Sequence, residues 1–242
     1  GYPPVFLEIA STAGLASRQS GVPVWKIIYD NQLGEEGKLT VGQALLLLKP
    51  QESAEIREDL YVTGYAYPFI EPYVLEMAFP ALNELLVFSY GFTFEGELVP
   101  PIQDETWMIQ LAWENGIEPM LVLTPFTQGV FNNQLIQTLV EEESVRENVI
   151  TNLLKVVEEK GYVGVDVDFE YVRAQNREGY AEFVGELRAA MNEKGYRVSV
   201  ALAPKTSSDQ KGLLYEGIDY ALLGEQADRL FLMTYEWGYS YG

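Results

Sequence analysis

A chain of 242 residues with 36 acidic against 16 basic side chains carries a formal charge of −20, which repels phosphate backbones and anionic lipid surfaces, so nucleic acid and membranes are not expected partners. It has no Cys and no His, which excludes disulfides, thiol nucleophiles, imidazole bases and ordinary zinc or transition-metal sites and leaves acid–base chemistry to carboxylates, Tyr and Lys. The length suffices for a substantial core in one or two domains, and no apolar run is long enough to span a bilayer.

Residues 1–50 read as a small module whose opening lacks the charged-then-apolar layout of a signal peptide. Residues 15–24 predict a short helix ending near Gly21, and residues 25–31 a second one begun by Pro23, because Gly closes helices and Pro opens them. Leu39-Thr40-Val41-Gly42-Gln43 then leads into an apolar strand expected over 44–48. Residues 51–61 are polar and acidic and predict a short linker.

From residue 62 the pattern alternates strand and helix. Strands are expected over 63–69, 85–92, 119–124, 164–170, 198–203 and 229–235. Between them, Asp104 is expected to cap a helix running to Asn115, and Ser144 with Glu147 to form a capping box for a helix ending at Gly161. Further helices are expected over 177–193, with Gly195 as a stop, and over 213–224. Six such units in a row argue for a doubly wound sheet or a barrel. Polar and aromatic residues recur where strands finish: Tyr65 and Tyr67, Ser89 and Tyr90, Thr124, Glu170, Lys205 and Tyr235. Barrel enzymes place their sites at that end, and no Gly-rich phosphate loop follows the first strand. The expected fold is α/β, a (β/α)8-type barrel over 62–242 truncated after its sixth strand, preceded by the small module.

The central stretch is Gly164-Val165-Asp166-Val167-Asp168-Phe169-Glu170-Tyr171. On a strand, Asp166, Asp168 and Glu170 share one face, about 7 Å apart at Cα, while Val165, Val167 and Phe169 share the other. Three carboxylates so close cannot all ionise freely, so at least one holds its proton more tightly. Such a group can protonate a departing oxygen, the first need of glycoside hydrolysis. A solvated edge strand or a carboxylate calcium site would also carry such a row, but a strand flanked by helices belongs to a buried parallel sheet.

Val163 to Glu170 resembles the family 18 glycoside hydrolase signature Asp-Gly-x-Asp-x-Asp-x-Glu, with Val163 in place of the first Asp. Met233-Thr234-Tyr235, followed by Glu236, resembles the same family's Met-x-Tyr and its trailing acid or amide. Gly64-Tyr65-Ala66-Tyr67-Pro68, Phe88-Ser89-Tyr90-Gly91-Phe92, Ala203-Pro204-Lys205-Thr206 and Thr234-Tyr235-Glu236-Trp237-Gly238-Tyr239 resemble its LysM-bearing branch in spore-forming bacteria, which includes N-acetylglucosaminidases acting on spore peptidoglycan. Residues 15–48 resemble the LysM module itself, a βααβ glycan-binding domain, although Ile9-Ala10-Ser11-Thr12 stands where that family has Gly-Asp-Thr-Leu.

The resemblance implies that Glu170 is the general acid and later the base, and that the substrate's own 2-acetamido oxygen is the nucleophile. It implies that Asp168 orients the acetamido group, that Asp166 shares a proton or hydrogen bond with Asp168, and that Tyr235 donates to the acetamido oxygen. Tyr65, Tyr67, Ser89, Tyr90, Met233, Glu236 and Trp237 are the implied substrate contacts. No metal and no cofactor is implied. The implied partner is peptidoglycan or a chitin-like N-acetylglucosamine polymer, and the implied place is extracellular, at the cell wall or spore. Other readings of the residues stay open here: Tyr67, Tyr90, Tyr235 and Trp237 as packing residues, and Lys205 as a surface lysine paired with acids. So do other functions: a glycan-binding protein without hydrolysis, a chitin-oligomer hydrolase, or a structural wall protein held by its module.

Overall fold

A computed structural model describes residues 12–34, 37–40, 43–47, 60–127 and 130–234. The chain divides into two units, Gly1–Arg57 and Glu58–Gly242.

In the first unit Thr12 caps α1 (Ala13–Ser20), its hydroxyl accepting from the Leu15 N–H at 3.4 Å, and the helix ends at Gly21. Pro23 leads into α2 (Val24–Asp30). Ala13, Ala16, Val22 and Ile27 form a small core, closed by half-buried leucines at 33, 39, 45 and 47. Thr12 and Lys38 form an antiparallel bridge. The expected strand over 44–48 is not formed within the described residues 43–47. Asn31 stands in for a neighbouring strand there: its Oδ1 accepts from the Leu46 N–H at 2.6 Å and its Nδ2 donates to the Leu46 carbonyl at 2.8 Å. Leu48 lies outside the described residues.

The second unit opens with β1 (Thr63–Ala66), α3 (Pro72–Ala78), β2 (Glu84–Phe92), β3 (Leu98–Val99), α4 (Thr106–Glu114) and β4 (Glu118–Leu123). A short hairpin of β5 (Phe126–Thr127) and β6 (Val130–Phe131) follows, then α5 (Asn133–Glu141) and α6 (Glu143–Lys160). It continues through β7 (Gly164–Val167), α7 (Arg177–Asn192), β8 (Arg197–Leu202), α8 (Tyr220–Gln226) and β9 (Arg229–Leu232). Six strands pair in parallel in the order β1-β2-β4-β7-β8-β9, with β3 antiparallel to β2. The sheet curls: the Tyr65 ring on β1 meets Phe231 on β9 edge to face, centroids 5.3 Å apart, so side chains of the first and last of the six strands touch.

Strand alternation sorts side chains into two layers. Leu85, Val87, Leu121, Leu123, Val165 and Val167 face outward into a core shared with α4, α6 and α7. Leu86, Met120 and Val122 face the inside of the curl with Tyr65, Phe88 and Val163. The strands were expected in these places, with β1, β7 and β9 each shorter than expected.

Helix starts differ from the expected ones. The residue before α4 is Glu105, while Asp104 accepts from the Thr106 N–H at 3.2 Å. Helix α6 begins after Glu142 with no side-chain cap, so Ser144 and Glu147 lie inside its first turns and form no capping box. Its end is as expected: Gly161, at φ 81, takes the left-handed conformation that closes a helix, and its N–H donates to the Val157 carbonyl. Residues 213–217 are turns, and α8 starts only after Asp219, whose carboxylate accepts from the Ala221 and Leu222 N–H groups.

Glu105 has a task other than capping. It is 1% exposed and accepts from the Tyr90 hydroxyl at 2.5 Å and from Lys160 Nζ at 2.6 Å, with the Tyr162 hydroxyl at 3.5 Å. One carboxylate thus ties β2, α4 and the end of α6 together, and removing it strands three donors in the outer core. Glu105→Ala is expected to lower the unfolding free energy by about 3 kcal/mol, read from urea denaturation followed by Tyr and Trp fluorescence.

Candidate active site

Strand β7 is buried along its whole length, so any charge on it needs partners. Gly164 opens it because β8 lies too close for a side chain: a Cβ there would stand 2.1 Å from the Arg197 carbonyl oxygen. Asp166 points into the curl and is fully buried. The Tyr65 hydroxyl donates to its Oδ2 at 2.7 Å, and the Ser199 hydroxyl donates to its Oδ1. Burial pushes the Asp166 carboxyl above the ordinary carboxylate range; the hydrogen bonds from Ser199 and Tyr65 oppose this, Glu84 adds to it and Arg229 opposes it.

The regular strand stops at Val167, not at residue 170 as expected. The ladder reaches one residue further, since the Asp168 N–H donates to the Leu123 carbonyl at 2.9 Å. Asp168 is 6% exposed and Glu170 is half-buried, so exposure rises along the row toward the end of the strand. Tyr171 then adopts φ 58, an uncommon left-handed conformation for a non-glycine residue. Phe169 anchors the other side of the segment, stacked on Tyr180 at 5.4 Å, Phe92 at 5.9 Å and Phe183 at 5.9 Å. An aromatic stack on the helix side thus steadies the backbone that presents Asp168 and Glu170.

Below Asp166, at the N-terminal ends of the strands, lies a group of residues that sequence reading passed over. Glu84 is 2% exposed and accepts from Arg197 Nη2 at 3.0 Å, Arg229 Nη1 at 3.2 Å and the Thr63 hydroxyl at 3.1 Å. Arg197 also donates to Glu118 Oε2 at 2.6 Å, and that hydrogen bond holds Glu118 below the ordinary carboxylate range. The Arg229 guanidinium lies 4.5 Å from the centre of the Tyr61 ring. A detectable signal was present: two strands begin with Glu and two later ones with Arg, at positions that register places on the inner face.

The other expected contacts divide. Tyr65 is in the site, bonded to Asp166. Tyr67 is 47% exposed, stacked on Phe69 at 4.9 Å and tilted against Phe88 at 4.8 Å, just past the end of β1. Ser89 Oγ lies 3.1 Å from Thr124 Oγ1. Tyr90 is not brought to the carboxylates: the β2–β4 register shifts between Val87 and Tyr90, and the extra residue turns Tyr90 outward, where its hydroxyl meets Glu105. Met233 is buried, its N–H donating to the Leu202 carbonyl. Among the described residues Lys205 forms no ion pair with an acid; its ammonium donates to the carbonyls of Ser208, Tyr215 and Ile218 and so clamps the loop after β8. Tyr235, Glu236 and Trp237 lie outside the described residues. Among the described residues no cluster of three or more acids is placed to hold a metal ion, and no helix is long and apolar enough to cross a membrane.

A curled parallel sheet with carboxylates at the C-terminal end of its fourth strand puts them where barrel enzymes place their sites. Residues 129–240, which include the whole carboxylate row, match the family model described as Glycosyl hydrolases family 18. The larger unit is thus similar to family 18 over that segment, and its fold is six strands of a (β/α)8 barrel. Among individual proteins, the chain is 36% identical over 166 residues to the cortical fragment-lytic enzyme of Bacillus subtilis (strain 168), a match covering 68% of this chain and 38% of that protein. Among solved structures it resembles the spore cortex-lytic enzymes SleL of Bacillus megaterium QM B1551, with TM-score 0.69 and 27% identity, and of Bacillus cereus, with TM-score 0.70 and 28% identity. Those likenesses cover 97% and 98% of this chain and 55% of each of those chains. The chain therefore spans just over half of the solved relatives and under two fifths of the curated one.

The raised carboxyl of Asp166 fixes a sign for stability against pH. A proton bound more tightly in the folded state contributes stability that is full below the unfolded carboxyl pKa of about 3.9 and falls as pH rises toward the higher folded value. Asp166→Asn, uncharged at every pH, is expected to lose this decline. Its unfolding free energy relative to the parent should rise between about pH 4 and neutrality, as measured by urea titrations across that range.

Proposed function

We propose that the chain hydrolyses β-1,4 N-acetylglucosaminyl bonds of spore peptidoglycan with retention of configuration. The observation that carries this reading is the row Asp166, Asp168 and Glu170, graded from buried to half-exposed, within the segment that matches family 18. Its most accessible member, Glu170, donates a proton to the glycosidic oxygen as the bond to the anomeric carbon breaks. The substrate's 2-acetamido oxygen attacks that carbon and forms an oxazolinium, so no enzyme carboxylate is needed as nucleophile. Asp168 hydrogen-bonds the acetamido N–H and balances the positive charge, and Asp166 behind it holds a proton in reserve. Glu170 then takes a proton from water, which opens the ring. Tyr235 donates to the acetamido oxygen and aligns it. Tyr65 supports this chemistry through Asp166, and Tyr67, Ser89, Met233, Glu236 and Trp237 contribute the walls.

The choice of spore peptidoglycan rests on the relatives, whose printed names are those of spore cortex-lytic and cortical fragment-lytic enzymes. Residues 1–50, as a LysM-like module, would bring the catalytic unit to its polymer. Two helices around a small apolar core support that reading, as does a likeness to the SleL structures that covers nearly the entire chain. The enzyme would work outside the cell, at the spore or wall.

Release of reducing ends from purified spore-cortex peptidoglycan tests the proposal. Glu170→Gln is expected to lower the rate by about 10³-fold, the weight of a positioned general acid, with folding and sugar binding unchanged. Equal rates in parent and variant would overturn the assignment of Glu170. Binding without hydrolysis in the parent would make the chain a glycan-binding protein.

A further inference from the structure

We propose that the ionic cluster of Glu84, Glu118, Arg197 and Arg229 at the N-terminal end of the strands is a positioning device for Asp166, setting from below whether that carboxyl carries a proton. The further link, through Asp166 to the charge on Asp168, rests on the glycosidase reading; the link to Asp166 itself does not.

The geometry is a continuous path across the inner face. Asp166 pairs in register with Ser199, and Ser199 with Arg229, so three neighbouring strands present these side chains in one row. Ser199 donates to Asp166, and Arg229 reaches down to Glu84, which also receives Arg197. Glu84 is almost fully buried, so water does little to screen its field, while the Arg229 side chain beside it is 39% exposed and acts more weakly. The inward side chains between Glu84 and Glu118 and the level of Asp166 on β2 and β4 are Leu86 and Met120, with Val122 beside Asp166 in register; all three are apolar and cannot reorient to damp that field.

The charges of the cluster cancel as drawn, two carboxylates against two guanidiniums. Removing either sign leaves an uncompensated charge beneath Asp166. Loss of Arg229 leaves a net negative charge, which favours the protonated carboxyl. Loss of Glu84 leaves a net positive charge, which favours the carboxylate. A purely structural role for the cluster predicts no such reversal, because both substitutions would loosen the same end of the sheet. Among the described residues, the other titratable and charged groups around Asp166 are Tyr65 from β1, Asp168 and Glu170 from its own strand, and Tyr180 from α7, whose buried hydroxyl is raised by its own burial and by Asp168 and Asp166. All remain in place in these variants, so a difference between them reports the cluster.

The test is a carbon-13 NMR titration of the Asp166 carboxyl in the full chain, its signal assigned by its loss in Asp166→Asn. Arg229→Met is expected to move the midpoint up and Glu84→Gln to move it down, while Arg229→Lys, which keeps the charge, stays near the parent. Because Glu84 is buried, Glu118→Gln serves as a second anionic arm: its side chain is 37% exposed, and it should move the midpoint down by less. Shifts of Arg229→Met and the anionic variants in one direction, or midpoints that do not move, would overturn the proposal. The titration needs no turnover, so absent hydrolysis with opposed shifts would sink the glycosidase reading and leave the positioning role standing. Where hydrolysis is present, the acidic limb of its pH profile should follow the same two directions.

Discussion

A carboxyl group taken wholly out of water must either give up its charge or be supplied with donors, and in this chain the arrangement around Asp166 does both. Two hydroxyls, from β1 and β8, hold its oxygens, while burial shifts it toward the protonated form. Those hydroxyls come from strands separated from β7 by β2 and β4 on one side and adjacent to it on the other. Tyr65 can reach Asp166 only if the sheet curls. The buried carboxyl and the barrel geometry therefore depend on one another: without the curl the acid loses a donor, and without the acid the Tyr65 hydroxyl loses its acceptor.

The two faces of the sheet meet this demand in different ways. Outside, apolar side chains pack against helices in the ordinary manner, with one buried carboxylate, Glu105, tying three elements together. Inside, the floor is ionic, Leu86 and Met120 lie over it on β2 and β4, and Asp166 is level with Val122 and Ser199. Apolar side chains that cannot reorient leave the field of the floor undamped on that side, as the proposed role of the cluster requires. A floor of branched aliphatic residues, more usual for barrels, would support the strands equally well but would exert no field.

Much of this was legible in the sequence, and the parts that were not share a physical cause. The six strands, their order along the chain and the inward row from Asp166 follow from period-two alternation and from helices placed between strands, both local signals. The outward turn of Tyr90 does not follow, because a single extra residue in the β2–β4 pairing reverses which face a side chain takes, and nothing in Phe88-Ser89-Tyr90 announces it. The floor was missed because its partners are far apart in sequence: Glu84 meets Arg197 and Arg229 only when the sheet closes. The expected strand over 44–48 failed for a similar reason, since a single Asn side chain satisfied the backbone at Leu46 that a strand would have paired.

The acidity of the chain bears on how a wall polymer would be held. With a formal charge of −20, long-range attraction cannot gather an anionic glycan, so contact must rest on short-range stacking and hydrogen bonding. The residues just past β1 suit that requirement: Tyr67 and Phe69 stack on each other with 47% and 68% of their surfaces exposed, an apolar shelf. Sugar rings carry apolar faces edged by hydroxyls, and a preformed aromatic pair meets such a face with little loss of side-chain freedom. On the proposed function, an acidic surface would act as a filter: it would weaken loose association with the polymer everywhere, and leave a net gain only where a ring stacks on an aromatic face.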